Sequence, residues 1–269
     1  SRNYIPAAYE DYREMLDKEK SLHAVIVATP DWMHAEHAIT CMQAGLHVYC
    51  EKEMSNSLEK ARSMVEAARS TGKLLQIGHQ RRSNPRYRHA IDLLVRDCRL
   101  LGRITHAYAQ WNRAKAPDIT VAARIFIDQA KLEKYGYTNM NDFLNWRWYR
   151  KYGGGPMVDL GSHQIDLFSW LWGVNPKSVM ASGGVDFYKG HEWYDNVTAI
   201  YEYDTPDGAG RGLYQVLTTS KHGGYHEKFI GEDGTVIISE DTAQGNSVES
   251  DAREAEQTWK KWVEKGYLL

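Results

Sequence analysis

Three ionisable side chains, Asp159, His163 and Asp166, are spaced so that they could move a proton. Residues four apart on a helix lie one turn apart on the same face, and Asp166 follows three residues after His163. Neighbouring carboxylates favour the charged form of an imidazole and can orient its ring, which suits a general base. The same spacing also occurs in helices whose polar stripe faces solvent, because structural ion pairs follow the same pattern.

The surrounding residues predict one helix over residues 155–172. Three glycines at 153–155 allow a tight entry, Pro156 suits a first helical turn, and Gly173 suits the end of the helix. Apolar residues recur between these marks at helical spacing, namely Met157, Leu160, Ile165, Leu167, Phe168, Leu171 and Trp172. We therefore expect Asp159 and His163 on one face of a continuous helix.

The first 85 residues alternate short apolar runs with helical patterns. Runs at 23–29, 46–50 and 73–78 are typical of strands buried on both faces, and helices are predicted at 33–44 and 58–69. This alternation predicts a parallel sheet with covering helices, and such sheets bind ligands beyond the carboxyl ends of their strands. Lys52 lies just beyond the second run, next to Glu51, so it is either a cation of such a site or an ordinary surface lysine.

From Arg86 onwards the pattern changes to that of an α+β domain. A helix over 87–97 and an alternating run over 103–111 precede residues 112–145, whose poor periodicity predicts a long functional loop. Strand-like runs separated by turn signals follow at 178–188, 196–203, 212–219, 227–230 and 235–239, and a polar helix is predicted over 251–265. These runs predict a mostly antiparallel sheet with one open face.

Composition narrows the class of protein. The chain has 269 residues, 42% of them hydrophobic and 25% charged, as in core-forming globular proteins. A formal net charge of -2 gives no electrostatic reason to expect nucleic acid or an anionic membrane as a partner, and no apolar run is long enough to cross a membrane. Cys41, Cys50 and Cys98 predict free thiols. His34 and His37 could share a metal, but no third ligand has a suitable spacing, so no metal site is expected.

Several short motifs occur in order along the chain. They are Ala28-Thr29-Pro30 with His34, Glu51-Lys52, Gln80-Arg81 with Pro85, Trp146-Arg147, Gly153-Gly-Gly, Asp159-x-Gly-x-His163-x-x-Asp166, and Gly231-x-x-Gly234. Each motif alone is weakly specific. Their ordered combination resembles the Gfo/Idh/MocA family of NAD(P)-dependent oxidoreductases over nearly the whole chain.

The resemblance implies roles for particular residues. Lys52 matches the lysine of the family's Glu-Lys-Pro motif, which contacts the nicotinamide and the reacting hydroxyl. Asp159 and His163 match the acid–histidine pair in which histidine takes the hydroxyl proton as hydride leaves the same carbon. Residues that fall where family members line NAD or NADP are Ala28, Thr29, Pro30, His34, Glu51, Lys52, Gln80, Trp146 and Arg147.

Three further residues are candidates for substrate binding. Arg81 and Arg82 could clamp a carboxylate or a phosphate, although a solvated loop would contain the same residues. Asp166 joins them because it is predicted on the same helix face as His163.

Two features depart from the family's pattern. The proline that follows the family's lysine is Glu53 here, which could alter the orientation of Lys52. No Gly-x-Gly-x-x-Gly follows a predicted strand, although family members open with that pyrophosphate-binding loop. We therefore expect the chain to be part of a longer polypeptide, with an exposed strand edge near residues 24–28.

The expected fold class is α/β, with a partial Rossmann-type parallel sheet and a second α+β domain built on a mostly antiparallel open-faced sheet. We assign residues 1–85 plus the helix 155–172 to the dinucleotide-binding domain, and residues 86–154 and 173–269 to a substrate-binding and oligomerisation domain. The resemblance implies a homo-oligomer, dimer or tetramer, formed through the open sheet face, and a cytoplasmic protein, although the family includes exported forms.

The resemblance implies hydride transfer between a sugar or polyol and NAD(P). Two alternatives stay open. One is a glycosidase or lyase that uses bound NAD transiently through oxidation and elimination. The other is a non-catalytic sugar-sensing or scaffold protein that has kept the fold.

Overall fold

The chain divides into two compact units, Ser1–Gly78 and His79–Leu269. The computed structural model describes residues 6–120, 126–251 and 255–269. The boundary lies close to the expected one after residue 85. This division places residues 155–172 in the second unit, because they pack in its core. The sequence had predicted them in the first domain. Periodicity identified the apolar side of that segment but could not indicate which sheet would receive it.

The first unit is built around a three-stranded parallel sheet. Its elements are α1 (Tyr12–Lys18), β1 (Ala24–Val27), α2 (Asp31–Gln43), β2 (His47–Glu51), α3 (Leu58–Thr71) and β3 (Leu75–Gly78). The strands follow the order β1-β2-β3, and both pairings are parallel. This arrangement confirms the predicted Rossmann-type sheet.

Local signals in the sequence explain where these elements begin and end. Ser57 caps α3 by accepting a hydrogen bond from the backbone N–H of Lys60, and Gly72 ends the helix in the left-handed conformation at φ 67°. The buried side chains between sheet and helices are Val27, Ala35, Ala38, Cys41, Met42, Val48, Cys50, Met64 and Ala67. In this sheet β1 is an edge strand, and the side chain of Ile26, which points from the face opposite to that of the buried Val27, is 76% exposed.

The second unit contains a seven-stranded sheet. Its elements are α4 (Pro85–Arg88), β4 (Ile104–Asn112), α5 (Gln129–Lys134), α6 (Met140–Leu144), α7 (Gly155–Asp159), α8 (Gly161–Trp172), β5 (Ser178–Gly184), β6 (Asn196–Thr205), β7 (Gly208–Leu217), β8 (Tyr225–Gly231), β9 (Gly234–Ile238), β10 (Ser247–Ser250) and α9 (Ala255–Glu264). The strand order is β10-β9-β8-β4-β7-β6-β5. All pairings are antiparallel except β4 with β7, which confirms the mostly antiparallel sheet.

Helix α8 packs on one face of this sheet and forms the main core. Phe168 is fully buried and Trp172 nearly so, and both rings lie against β7. A Cβ atom at Gly212 would lie 2.7 Å from the Phe168 ring, and one at Gly210 would lie 2.8 Å from the Trp172 ring. The two glycines therefore create the space in which these aromatic side chains pack.

The opposite face of the sheet is partly open. Alternation along the strands places Ile200, Leu213 and Ile230 on this face, and all three are only half-buried. On the outer strand β5, Met180 is 70% exposed. An exposed apolar face of this kind is typical of an interaction surface.

Three predicted segments differ from the structure. The helix expected over 87–97 consists of α4 followed by a π-helical segment, His89–Asp97. Within the expected loop 112–145, α5 and α6 form, while residues 121–125 lie outside the described residues. The predicted tail helix over 251–265 is α9, with 252–254 outside the described residues. Weak local periodicity hid the two short helices α5 and α6, since each has fewer than two turns.

Candidate functional site

The candidate site of the first unit is the carboxyl edge of the three-stranded sheet. Val27 pairs with Cys50 and Glu51 pairs with Gly78, so the parallel strands end almost level. The loops that begin at Ala28 and Lys52 therefore leave the same edge of the sheet. These are the segments predicted to line a dinucleotide.

His34 ties two of these loops together. Its side chain is fully buried in α2, and its ring nitrogens lie 2.6 Å from the carbonyl oxygen of Thr29 and 2.5 Å from that of Glu53. Both acceptors are carbonyl oxygens, so both hydrogen bonds form together only when the ring carries two N–H groups. This geometry favours a role for His34 in fixing the loops after β1 and β2, rather than the direct cofactor contact expected from its position.

Lys52 forms an ion pair with its neighbour in sequence. The Nζ atom lies 3.2 Å from Oε1 of Glu53, and the two side chains are 17% and 7% exposed. Thr29 lies on the neighbouring loop and shares a 3.2 Å hydrogen bond with the His37 ring. The acid in place of the family's proline therefore contacts the proposed catalytic ammonium directly.

The residues at this edge fit one side of a dinucleotide site. A Cβ atom added at Gly78 would lie 2.7 Å from the Tyr49 hydroxyl and 3.0 Å from a carboxylate oxygen of Glu51, so the chain passes close to polar groups there. Hydroxyl, carboxylate and ammonium groups from Thr29, Glu51 and Lys52 are gathered on neighbouring loops, which suits the hydroxyl and amide groups of such a ligand.

The candidate site of the second unit is the junction between α7 and α8. Asp159 is the last residue of α7, and His163 lies in the first turn of α8. Leu160 separates the helices with φ −104° and ψ −45°, so the prediction of one continuous helix is wrong. The spacing of apolar residues continues through the break, which is why the sequence pattern did not reveal it.

Asp159 and Arg147 form an ion pair at this junction. Nε of Arg147 donates to Oδ1 of Asp159 over 3.3 Å, and the guanidinium also lies 4.2 Å from the ring centroid of Trp146. Trp146 and Arg147, both predicted to line the cofactor, therefore occur beside one of the predicted catalytic residues within the second unit. Gln80, the remaining predicted cofactor residue, is exposed at the start of a short 3-10 turn, Gln80–Ser83.

The His163 ring is buried against an aromatic side chain that the sequence did not single out. It is 7% exposed and lies 5.5 Å, centroid to centroid, from the indole of Trp111 at the end of β4. The same indole also stacks with the ring of Tyr225, with 4.7 Å between the ring centroids. The position of Trp111 at the end of the alternating run 103–111 was the available signal, since strand ends often line sites.

Arg82 and Asp166, both candidates for substrate binding, form an ion pair with each other. Nε and Nη2 of Arg82 donate to the two carboxylate oxygens of Asp166 at 2.8 and 2.7 Å. This hydrogen bond raises the pKa of the Arg82 guanidinium. The bidentate geometry occupies the same donors that would clamp a carboxylate or phosphate of a ligand.

Arg81 is placed differently from the expectation that it contacts substrate. The side chain is 1% exposed, with Nη1 2.5 Å from Glu227 and Nε 3.0 Å from Glu240. Tyr87 and Gln164 donate to the same Glu227 carboxylate, each over 2.6 Å. Burial works against the charged guanidinium, but Glu227, Tyr87 and Glu240 raise the pKa of Arg81 overall. Its position in this buried network favours a structural role, which sequence could not reveal because both acids are distant in the chain.

Two cavities adjoin the candidate site of the second unit. One of about 210 Å³ is lined by Asp159, Arg147, Trp148 and Tyr188. The other, of about 1000 Å³, lies at the end of β4 and includes Trp111 in its lining. Arg113 lines both cavities and was not singled out from the sequence, because it falls in a segment without clear periodicity.

Neither a metal cluster nor a membrane span is found in the parts of the chain that the structure describes. Among residues 6–120, 126–251 and 255–269, no three His, Cys, Asp or Glu side chains are grouped as metal ligands would be. No helix within the same ranges is long and apolar enough to cross a bilayer.

Comparison with known proteins identifies the class to which this fold and these motifs belong. Residues 1–79 match a family model described as an oxidoreductase family with an NAD-binding Rossmann fold. Residues 94–237 match the Gfo/Idh/MocA C-terminal domain. The chain belongs to the Gfo/Idh/MocA family, and the first match confirms the nicotinamide cofactor class implied by the resemblance.

Several relatives are named as sugar or polyol dehydrogenases. The chain is 28% identical over 183 residues to scyllo-inositol 2-dehydrogenase (NADP(+)) of Bacillus subtilis, covering 67% of this chain and 43% of that protein. It is 29% identical over 177 residues to D-glucoside 3-dehydrogenase of Escherichia coli, covering 65% and 43%. The chain thus spans about two-fifths of the length of these two curated relatives.

A solved structure shows the same fold. An inositol dehydrogenase homologue from Azotobacter vinelandii, complexed with NAD+, superposes with a TM-score of 0.73 at 22% identity. The superposition covers 91% of this chain and 60% of the other.

Proposed function

We propose that the chain contributes the active centre of an NAD(P)-dependent dehydrogenase that acts on a sugar or polyol. The observation that carries this proposal is the position of the motifs within the family matches. Residues 1–79 contain Glu51-Lys52 at the end of β2, and residues 94–237 contain Asp159 and His163 at the α7–α8 junction. The names of the relatives, which act on inositols and glucosides, support sugars and polyols as the substrate class.

The proposed reaction oxidises a carbinol of the substrate to a carbonyl: the hydride leaves the carbon and the proton leaves the hydroxyl oxygen. A nicotinamide held by the loops after β1 and β2 would supply the hydride acceptor. His163 accepts the hydroxyl proton as a general base, and its ring is held against Trp111. Asp159 orients the ring or shares the proton, since it ends the helix that immediately precedes α8.

Lys52 is proposed to position the hydroxyl oxygen and to stabilise negative charge that develops on it. An ammonium group that is 17% exposed is less screened than one at the surface, which strengthens this effect. The contact with Glu53 sets the direction of the Lys52 side chain, so Glu53 is proposed as a positioning residue.

In the first unit, we propose direct cofactor contact for the side chains of Thr29, Glu51 and Lys52. The backbone of Ala28 and Pro30 would contribute to the same site. In the second unit the candidates are Gln80, Trp146 and Arg147. Arg82 and Asp166 remain candidates for substrate binding as a pair, because either partner could exchange its bidentate hydrogen bonds for those of a ligand.

The central experiment measures NADH or NADPH formation at 340 nm from a panel of sugars and polyols. General-base catalysis contributes about 10²–10⁴-fold, so His163→Ala should lower kcat by that factor. The control is His106→Ala, which removes an exposed histidine from β4. Cofactor affinity, measured by quenching of tryptophan fluorescence, should be similar in wild type and both variants.

A His163→Ala enzyme with wild-type turnover would end the assignment of His163 as the base. A cofactor that copurifies in stoichiometric amount, with product formed but no net NADH, would favour the alternative of transient oxidation followed by elimination. If no turnover is seen and sugar binding is unaffected by both Lys52→Ala and His163→Ala, the alternative of a non-catalytic sugar-sensing or scaffold protein is favoured.

We also propose that the open sheet face forms a homo-oligomer, dimer or tetramer. The half-buried Ile200, Leu213 and Ile230 support this proposal, because an exposed apolar face is stabilised when a second copy covers it. Leu213→Lys should then shift the species seen by light scattering towards monomer, and a monomeric wild type at micromolar concentration would contradict it.

A reducing compartment such as the cytoplasm is consistent with the free thiols of Cys41, Cys50 and Cys98.

A further inference from the structure

The larger cavity in the second unit is lined by an excess of cationic side chains. It has a volume of about 1000 Å³ and lies where β4 ends and β8 begins. Arg113, Lys221 and Lys228 contribute positive charge to its lining, and Asp241 contributes the carboxylate. Three cations around one acid leave a net positive charge in a concave site.

Protein carboxylates do not pair with these cations in the part of the chain that the structure describes. Within residues 6–120, 126–251 and 255–269, no ion pair joins Arg113, Lys221 or Lys228 to a carboxylate. Glu227, which precedes Lys228, and Glu240, which precedes Asp241, are held by Arg81 instead. An excess of positive charge in a concave site favours the binding of an anion.

Aromatic rings hold two of these cations in place. The Arg113 guanidinium lies 5.4 Å from the centroid of Trp111, and the Lys228 ammonium lies 5.9 Å from the centroid of Tyr108. Burial lowers the pKa of His226, another lining residue, and the Lys228 ammonium adds to this lowering. The imidazole is therefore neutral near pH 7 and available as a hydrogen-bonding group rather than as a fourth cation.

Trp111 connects this cavity to the proposed base. Its indole lines the cavity with Tyr225, on which it stacks at 4.7 Å, and it also lies 5.5 Å from the His163 ring. The cavity and the His163 ring thus contact the same indole. Trp111 and Tyr225 give the lining an aromatic part beside its cations.

We propose that the ligand of this cavity is a sugar bearing an anionic group, either the carboxylate of a sugar acid or a phosphate ester, bound by Arg113, Lys221 and Lys228. The inference rests on the proposed function in treating this ligand as the substrate. The anionic group is the feature that selects among sugars.

Binding measurements separate this proposal from the proposed reaction. Isothermal titration with glucuronate, glucose 6-phosphate and glucose gives dissociation constants without requiring turnover. We expect at least one of the two anionic sugars to bind about 10–100-fold more tightly than glucose, the size of a charge-assisted contact. The tighter of the two identifies carboxylate or phosphate as the anion. The preference should weaken as salt is raised, because the cations are partly solvated.

Substitutions assign the effect to the cavity. Lys221→Met and Lys228→Met should each weaken binding of the preferred anionic sugar by about 10-fold, and the ratio of its affinity to that of glucose should move towards one. The matched control is Lys177→Met. This exposed lysine lies next to the edge strand β5, away from β8 and the cavity, and pairs with Asp204 at 2.9 Å. Circular dichroism checks that each variant is folded.

Different outcomes count against different statements. If neither anionic sugar binds more tightly than glucose, or if the lysine variants weaken NADH binding and leave sugar binding unchanged, the anionic-sugar proposal is wrong. If the lysine variants weaken binding of an anionic sugar but no sugar is oxidised, the cavity assignment stands and the proposed dehydrogenase function fails. If neutral sugars are oxidised and charged sugars bind no more tightly than neutral ones, the dehydrogenase function stands and the anionic-sugar proposal fails.

Discussion

The buried carboxylate of Glu227 provides a direct test of how the second unit is held together. It is fully buried and accepts hydrogen bonds from Arg81, Tyr87 and Gln164 at 2.5, 2.6 and 2.6 Å. Glu227→Gln keeps the shape of the side chain but removes the charge that compensates the buried guanidinium. Breaking a buried pair by neutralising one partner costs about 3–5 kcal/mol.

This loss can be measured as a change in melting temperature. For a unit of this size, 1 kcal/mol corresponds to about 2–4 °C, so the transition of the second unit should fall by roughly 6–20 °C. Calorimetry, with urea denaturation at 25 °C as an independent measure of the free energy of unfolding, provides the assay. The control is Glu232→Gln, which breaks the exposed pair with Arg103 and should cost no more than about 1 kcal/mol.

The reasoning also predicts non-additivity. Arg81→Met alone leaves Glu227 buried without its cation, whereas Arg81→Met combined with Glu227→Met removes both charges. The double variant should therefore be more stable than the Arg81→Met single variant. A Glu227→Gln protein within about 1 kcal/mol of wild type would refute the view that the buried charge is compensated by Arg81.

Two further predictions concern the first and second units separately. Burial raises the pKa of the Cys50 thiol from 9.0 to about 12, so its contribution to stability is complete below about pH 9 and is lost as the pH rises towards 12. The unfolding free energy of wild type should thus fall by up to about 4 kcal/mol more than that of Cys50→Ala over this range, and parallel pH profiles would contradict it. In the second unit, a Cβ at Gly161 would lie 2.8 Å from the Tyr214 ring, so Gly161→Ala should destabilise by about 1–3 kcal/mol in urea denaturation. Gly190→Ala, where nothing lies within 4 Å of the added atom, is the control and should be neutral; equal effects of the two would show that Tyr214 moves aside.

The parallel sheet could be predicted because its signals are local. Strands β1, β2 and β3 are short apolar runs bounded by turn residues, and Gly72 and Ser57 mark the limits of α3. The open-faced sheet was equally visible in alternating runs. The short strand β10 was missed because it has four residues, too few for alternation to stand out.

The environment of individual site residues could not be predicted in the same way. Arg81 and Arg82 are adjacent and looked equivalent, yet one is buried with acids 146 and 159 positions away and the other is partly exposed beside Asp166. The cationic lining of the larger cavity likewise combines residues from separated loops. Sequence spacing describes neighbours on one element, whereas these contacts depend on which elements pack together.

The double attachment of His34 has a consequence for any redesign of the loops after β1 and β2. Because one ring reaches the backbone of two separate loops, a change that displaces either loop will be transmitted to the other through the imidazole. A replacement of residues 28–30 alone would then displace Lys52, which precedes the second acceptor Glu53, as a side effect. Loops 28–30 and 51–53 would have to be exchanged together, as one module, for the geometry of either to be kept.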